Sequence, residues 1–243
     1  MRRALGLAVI TLLGAACASS LRPSSRDEVI RQILPSTVQL RCEREGGGRR
    51  AASGVVLAAD AETRRSWILT TRHFLEPIAK QDVSVTIAGR KDRAKATVAA
   101  LSSDSDLALL ETEGVILPPA RLKETARLGD DVWVVTFPWG RRLTIVGGVV
   151  SQISSEAGDA PVEGPARMVD ASVSYGASGG GVFDAATGEL IGLVESYRTA
   201  RVTTTGQSEQ VIEIPVPGET TLISSASILR FIERSGLARL ILK

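Results

Sequence analysis

An all-β fold is predicted for this 243-residue chain by three observations. Short alternating or wholly apolar runs recur at regular intervals through most of its length, 23 glycines and 10 prolines supply turns between them, and helical spacing is confined to two short segments. Strands without intervening helices argue for two β-barrels or a sandwich rather than a parallel α/β sheet.

The elements follow in order. Ser25 with Glu28 three residues later is a capping box, Val29, Ile30, Ile33 and Leu34 continue at helical spacing, and Pro35 stops the run. Thr37–Cys42 alternates with period two, and Gly46-Gly47-Gly48 makes a turn with no G-K-[ST] sequel, so it is not a phosphate cradle. Ser53–Leu57, Trp67–Thr70, Val83–Ile87, Ala94–Leu101 and Leu107–Leu110 read as strands. The stretch 112–130, with Pro118-Pro119, reads as a linker. A second strand-rich half begins at Val132 and continues through Leu143–Ile153, Met168–Val173, Gly181–Phe183 and Leu190–Val194. A final helix is predicted from about Ser225 to Arg234, closed by Gly236.

The N-terminus does not belong to that fold. Met1-Arg2-Arg3 is a positive head, and Ala4–Ala16 is an uncharged run of 13 residues, shorter than the roughly 20 that span a membrane. Residues 1–18 therefore read as a secretory signal peptide, followed by a tail and short helix over 19–35. Two endings fit. Ala16-Cys17-Ala18 is an A-x-A cleavage site, and Gly14-Ala15-Ala16-Cys17 resembles a bacterial lipobox that would lipidate Cys17 and attach the chain to a membrane. The expected location is accordingly the periplasm or cell envelope as a lipoprotein, or the secreted fraction.

Composition excludes several classes. One histidine and two cysteines cannot build the common zinc sites, so neither metal nor cofactor is expected. Without Arg2 and Arg3 the chain holds 27 Lys+Arg against 27 Asp+Glu, which gives nucleic-acid binding no support. Arg49-Arg50, Arg64-Arg65 and Arg141-Arg142 read as solvated loop tips. Cys42 reads as a small buried hydrophobe.

Chemistry concentrates at three places. Gly176-Ala177-Ser178-Gly179-Gly180 can expose a nucleophilic hydroxyl and aim backbone N–H groups at an oxyanion. It also satisfies the G-x-S-x-G pattern of an α/β-hydrolase elbow, but that fold places its histidine after the serine on a strand–turn–helix scaffold. Here the single histidine, His73, lies 105 residues before Ser178 and ends the strand Ile68–Thr71. Asp106, directly before the apolar run Leu107–Leu110, is held as a carboxylate that orients an imidazole must be. Asp104 reads as a strand-entry turn. The order His73, Asp106, Ser178 is that of a chymotrypsin-type triad.

With these residues the sequence resembles the trypsin-like serine proteases, and among them the bacterial HtrA/Deg type. Thr70-Thr71-Arg72-His73 is similar to the family's Thr-x-x-His, Asp106–Leu110 to its Asp-Leu-Ala-Leu-Leu, and Gly176–Gly180 to its Gly-Asn-Ser-Gly-Gly. Weaker similarities at Ser53–Val56, Phe137–Gly140 and Gly147–Ser151 extend the match over roughly 36 to 235. The resemblance implies two six-stranded antiparallel β-barrels with a C-terminal helix, barrel one over about 36–111 and barrel two with the helix over 131–243. It implies a serine endopeptidase acting on protein or peptide substrates, with His73, Asp106 and Ser178 catalytic and the N–H groups of Gly176 and Ser178 forming the oxyanion hole. A protease-fold binding module without turnover is the competing expectation.

The same resemblance places Ser172 at the floor of the specificity pocket, where nothing acidic would select Lys or Arg. Glu195 takes the place of a small hydroxyl residue near the triad aspartate, Ala177 that of Asn or Asp, and Gly181 that of proline. The chain ends soon after its last helix, so no PDZ domain is expected.

Overall fold

The computed structural model describes residues 25–44, 47–78, 81–89, 93–154, 161–204 and 210–241. The leader with Cys17, the tail up to residue 24 and Gly46 of the glycine turn lie outside the described residues.

Helix α1 (Arg26–Ile33) starts where the capping box says it should: Ser25 Oγ accepts from Glu28 N–H at 3.3 Å and Glu28 Oε2 accepts from Ser25 N–H at 2.7 Å. The Ser25 N–H holds the Glu28 carboxyl below its ordinary pKa. A 3₁₀ turn containing Pro35 ends the helix, as proline requires.

Six strands follow: β1 (Thr37–Arg44), β2 (Arg49–Asp60), β3 (Arg65–Thr71), β4 (Gln81–Ile87), β5 (Arg93–Leu101) and β6 (Leu107–Glu113). They form a closed antiparallel barrel in the order β1-β2-β3-β6-β5-β4, closed by β4 pairing back on β1 with Leu40 opposite Val85. After the connection come β7 (Ala126–Arg127), β8 (Asp131–Thr136), β9 (Thr144–Ile153), β10 (Glu163–Gly164), β11 (Ala166–Asp170), β12 (Gly181–Asp184), β13 (Leu190–Thr204) and β14 (Gln210–Ser224). A second closed antiparallel barrel runs β11-β14-β13-β12-β8-β9, while β7 and β10 pair as a two-stranded ribbon. Helices α2 (Ser225–Arg234) and α3 (Ala238–Ile241) complete the described chain. This is the double barrel expected.

Why β3 and β6 read as nearly continuous apolar runs is now plain. Ile68, Ala108 and Leu110 point into the first barrel, whereas Trp67, Leu69, Leu107 and Leu109 point into a separate core between the barrels. Both faces are dry, so alternation with polar residues disappears. Burying each of these leucines contributes about 2 kcal/mol. The inter-barrel core also takes Val29 and Ile33 of α1, Phe183 and Leu193 of barrel two, and Ile228, Phe231 and Ile232 of α2. The two terminal helices thus clamp the seam rather than decorate it.

The connection between barrels is pinned at several points. Ala120 N–H donates to Val56 O at 2.9 Å, Lys123 N–H to Leu190 O at 2.9 Å, and Ser225 Oγ to Lys123 O at 2.6 Å. Lys123 Nζ pairs with the buried Asp184. Burial penalises that carboxylate's charge, but the Lys123 hydrogen bond and the N–H groups of Ala186 and Thr187 prevail and hold its pKa below the ordinary value.

Two features exceed the sequence reading. Strands β13 and β14 continue past the barrel as a paired extension, with Ala200 opposite Ile214 and Val202 opposite Ile212, where the sequence reading follows the strand no further than Val194. Helix α3 follows Gly236, whose positive φ of 74° closes α2 as expected. Cys42 is a free, fully buried thiol on β1, and burial raises its pKa.

Candidate active site

Three loops converge where the barrels meet. The first leaves β3 as the short 3₁₀ turn Arg72–Leu75, which carries His73. The second enters β6 through Asp106. Because Thr71 lies opposite Leu107 in the β3–β6 ladder, the residues just beyond each strand end are neighbours although 33 positions separate them. Arg72 N–H donates to Asp106 O at 3.1 Å and closes this corner.

Both oxygens of the Asp106 carboxylate are used on the histidine. His73 N–H donates to Oδ1 at 2.8 Å and His73 Nδ1 lies 2.6 Å from Oδ2. A carboxylate can only accept, so Nδ1 carries the proton and Nε2 is left as the basic nitrogen. The loop beneath is locked by Ser102, whose Oγ hydrogen-bonds Asp104 at 2.9 Å and Ser105 Oγ at 2.7 Å. Asp104 also pairs with Arg234 of α2. The Ser102 hydroxyl, then Arg234, hold its carboxyl below the ordinary pKa, which fits a structural role.

The third loop, between β11 and β12, carries Ser178. Its carbonyls are tied almost one by one. Ser174 O accepts from Ala177 N–H, Tyr175 O from Trp139 N–H, Ala177 O from Gly180 N–H and Ser178 O from Ser53 N–H, at 2.7–3.0 Å. Among the described residues the N–H groups of Gly176 and Ser178 donate to no carbonyl, while those of Ala177, Gly179 and Gly180 do. Two glycines make this path feasible. Gly176 has φ of 87°, and a Cβ there would stand 2.8 Å from Trp139 N. Gly179 has φ of 81°, and a Cβ would stand 2.3 Å from Ser53 O.

Ser53 is the residue that the sequence reading misses. Fully buried on β2 of the first barrel, it donates from Oγ to Gly176 O at 2.8 Å and accepts at Oγ from Phe137 N–H at 2.8 Å. One hydroxyl therefore fastens the serine loop of barrel two to barrel one. The only local signal is a hydroxyl residue inside an otherwise apolar strand. Ser53→Ala leaves a buried carbonyl and a buried N–H unpaired, and is expected to lower the unfolding free energy by about 2 kcal/mol in urea titrations. Unchanged stability would mean that the loop holds itself.

His73 and Ser178 line one cavity of about 330 Å³, together with Arg50, Tyr175, Gly176 and Tyr197. Nearly half of the imidazole surface is open to solvent and Asp106 sits deeper, its side chain 24% exposed. Neither residue assigned to the specificity pocket is among that lining. Ser172 is exposed in the β11–β12 loop, and Glu195 lines a different cavity of about 450 Å³ beside Asp104, Asp106 and Arg167. The substituted positions have local reasons. Ala177 packs into the core of barrel two, and Gly181 sits in β12, where a Cβ would stand 2.3 Å from the Phe183 ring. Gly181 is thus paired strand, opposite Val135 and Leu193.

No group of three or more His, Cys, Asp or Glu side chains able to hold a metal ion occurs among the described residues. No helix among them is long and apolar enough to cross a membrane.

The chain is similar to known proteins in sequence and in fold. A family model described as trypsin-like peptidase domain matches residues 52–193. A probable periplasmic serine endoprotease, DegP-like, from Pseudomonas fluorescens is 29% identical over 175 residues, covering 70% of this chain and 34% of that protein. The serine endoprotease DegS of Salmonella typhimurium is 26% identical over 183 residues, covering 70% and 48%. The chain thus spans between a third and a half of the length of these relatives. Among solved structures, a serine endoprotease from Yersinia pestis superposes with a TM-score of 0.65 at 22% identity, covering 88% of this chain and 67% of that one. An HtrA-type protease solved with a tripeptide gives 0.64 at 21% identity, covering 88% and 64%.

Proposed function

The chain belongs to the trypsin-like peptidase family, and from that premise we propose that it is a serine endopeptidase of the cell envelope, cleaving protein or peptide substrates through His73, Asp106 and Ser178. The observation that carries the reading is His73 held by Asp106 at both its backbone N–H and its Nδ1, with the imidazole opening on the cavity that Ser178 also lines.

Ser178 Oγ attacks the peptide carbonyl while His73 Nε2 takes its proton. Asp106 keeps the Nδ1–H tautomer and stabilises the imidazolium that forms. The N–H groups of Gly176 and Ser178 receive the oxyanion, a contribution of about 3–4 kcal/mol per donor. Their lack of carbonyl partners among the described residues supports that role. His73 then gives its proton to the leaving amine, and water hydrolyses the acyl-enzyme by the same route reversed. Each step uses side chains and backbone of this chain alone.

For location, the periplasmic relatives and the leader support export. Cys17 is proposed as the lipidated residue that attaches the mature protein to the membrane. One experiment addresses both proposals: a fluorophosphonate probe applied to the mature protein, read by mass spectrometry. The expected result is a covalent adduct on Ser178 and an N-terminal peptide starting at a diacylated Cys17. A folded protein without the adduct excludes hydrolysis, and an unmodified N-terminus excludes the anchor.

A further inference from the structure

Beside the catalytic cavity lies a second groove, of about 460 Å³, which shares Arg50, Ala51 and Tyr175 with it. A chain leaving one enters the other. We propose that this groove is a basic subsite that takes acidic side chains of the substrate on the leaving-group side of the scissile bond. The proposal rests on the peptidase reading and adds to it a class of preferred substrate.

Charge is the first argument. Arg41, Arg49, Arg50 and Arg93 line the groove against one carboxylate, Glu43. Arg49 pairs with Glu43 at 3.4 Å, so these two cancel. The others are not neutralised. Arg41 Nη2 donates to Gly140 O at 3.0 Å and Arg50 Nη1 to His73 O at 2.9 Å, carbonyl partners that fix each guanidinium without cancelling it. Arg93 has no carboxylate partner among the described residues. Three guanidinium groups without a carboxylate partner among the described residues thus face one groove, in a chain whose acidic and basic residues balance once Arg2 and Arg3 are removed. Planar guanidinium groups held in advance accept a carboxylate through paired N–H donors at reduced entropic cost.

Position is the second argument. In acyl transfer the imidazole delivers its proton to the departing amine, so the departing segment exits past His73. The guanidinium bound to the His73 carbonyl, Arg50, belongs to both cavities. Tyr197, from β13, lines only the catalytic cavity of the two.

Backbone strain is the third. Trp139 is a non-glycine residue at φ of 57°, held by its N–H to Tyr175 O at 2.7 Å. It is 64% exposed and its ring stands 5.3 Å from that of Tyr175, itself 46% exposed. A tryptophan in a disfavoured conformation, its ring in solvent beside three guanidinium groups that have no carboxylate partner among the described residues, marks a binding wall rather than a packing element.

The test measures binding to the full mature Ser178→Ala protein by fluorescence anisotropy, so that hydrolysis does not enter. The probes are labelled peptides with a small uncharged residue before the scissile bond and either two glutamates or two glutamines after it. The glutamate peptide is expected to bind about tenfold more tightly at low salt, with the advantage shrinking at high salt. Arg41→Gln with Arg93→Gln should cut the advantage to about twofold and leave the glutamine peptide unchanged. Arg93→Gln alone, at an exposed strand start, gives a partial loss without disturbing Gly140. Moving both glutamates ahead of the scissile bond should abolish the preference. Equal binding, no binding, or a preference undiminished by the double arginine substitution overturns the subsite. Fluorophosphonate labelling of the wild type separates the two readings. A labelled protein without the preference retains the peptidase and loses the subsite. An unlabelled protein with it retains an acidic-peptide groove and loses hydrolysis.

Discussion

Ser178→Ala is expected to lower peptide turnover by up to about 10⁶ while leaving fold and peptide binding intact. The substitution removes only the attacking oxygen. The loop around it is fixed by groups that stay: Ser178 O still accepts from Ser53 N–H at 2.9 Å, and Gly176 O from Ser53 Oγ at 2.8 Å. Unfolding midpoints should therefore coincide for the two proteins. Residual activity belongs to binding and to the unpaired N–H groups, which still polarise a bound carbonyl. The measurement is single-turnover hydrolysis of a quenched-fluorescence peptide, with unfolding followed in parallel. A variant that keeps more than a hundredth of the activity would show that the nucleophile lies elsewhere.

Asp106→Asn is expected to cost about 10⁴ in kcat, with KM changed far less. The reason lies in the two contacts of the carboxylate. It accepts from His73 N–H and from Nδ1–H, one oxygen each. An amide offers one oxygen and one NH₂, so one of these contacts must be lost. If the oxygen stays on the backbone N–H, the NH₂ faces Nδ1 and drives the ring to its other tautomer, with the proton on Nε2. The base is then blocked although every atom remains near its place. Asp106 is only partly buried, so stability should change little, and the loss should sit in kcat. A variant with near-normal kcat would mean that the imidazole orients itself, and the aspartate would become an ordinary loop residue.

How far the sequence discloses all this depends on the range of the physics involved. Helix α1 was readable because a capping box spans only three residues, and both of its hydrogen bonds form. Leu107–Leu110 was readable because burial on both faces leaves an unbroken apolar run. The site was readable as order: one histidine after a strand, an acid before a strand, a serine among glycines. The extension of β13 and β14 was not. Its strands pair with each other, Pro215 and charged pairs such as Arg201 with Glu213 interrupt the apolar pattern, and Val202, Ile212 and Ile214 stay exposed. Alternation that no core enforces leaves a weak trace. Ser53 was hidden for another reason, since its partners Phe137 and Gly176 lie 84 and 123 residues away. Arg50 resembles any surface cation until β2 brings it against the His73 carbonyl. The place of Ser172 rests on the resemblance alone. The β11–β12 loop leaves it exposed and lines the cavity with Tyr175 instead.

The hydroxyl of Ser53 has a broader implication. On the proposed reading, hydrolytic competence would belong to neither half alone, because the serine loop of barrel two borrows its bracing from the barrel that carries His73. A copy whose halves have drifted apart would then carry every reactive atom and still be inert.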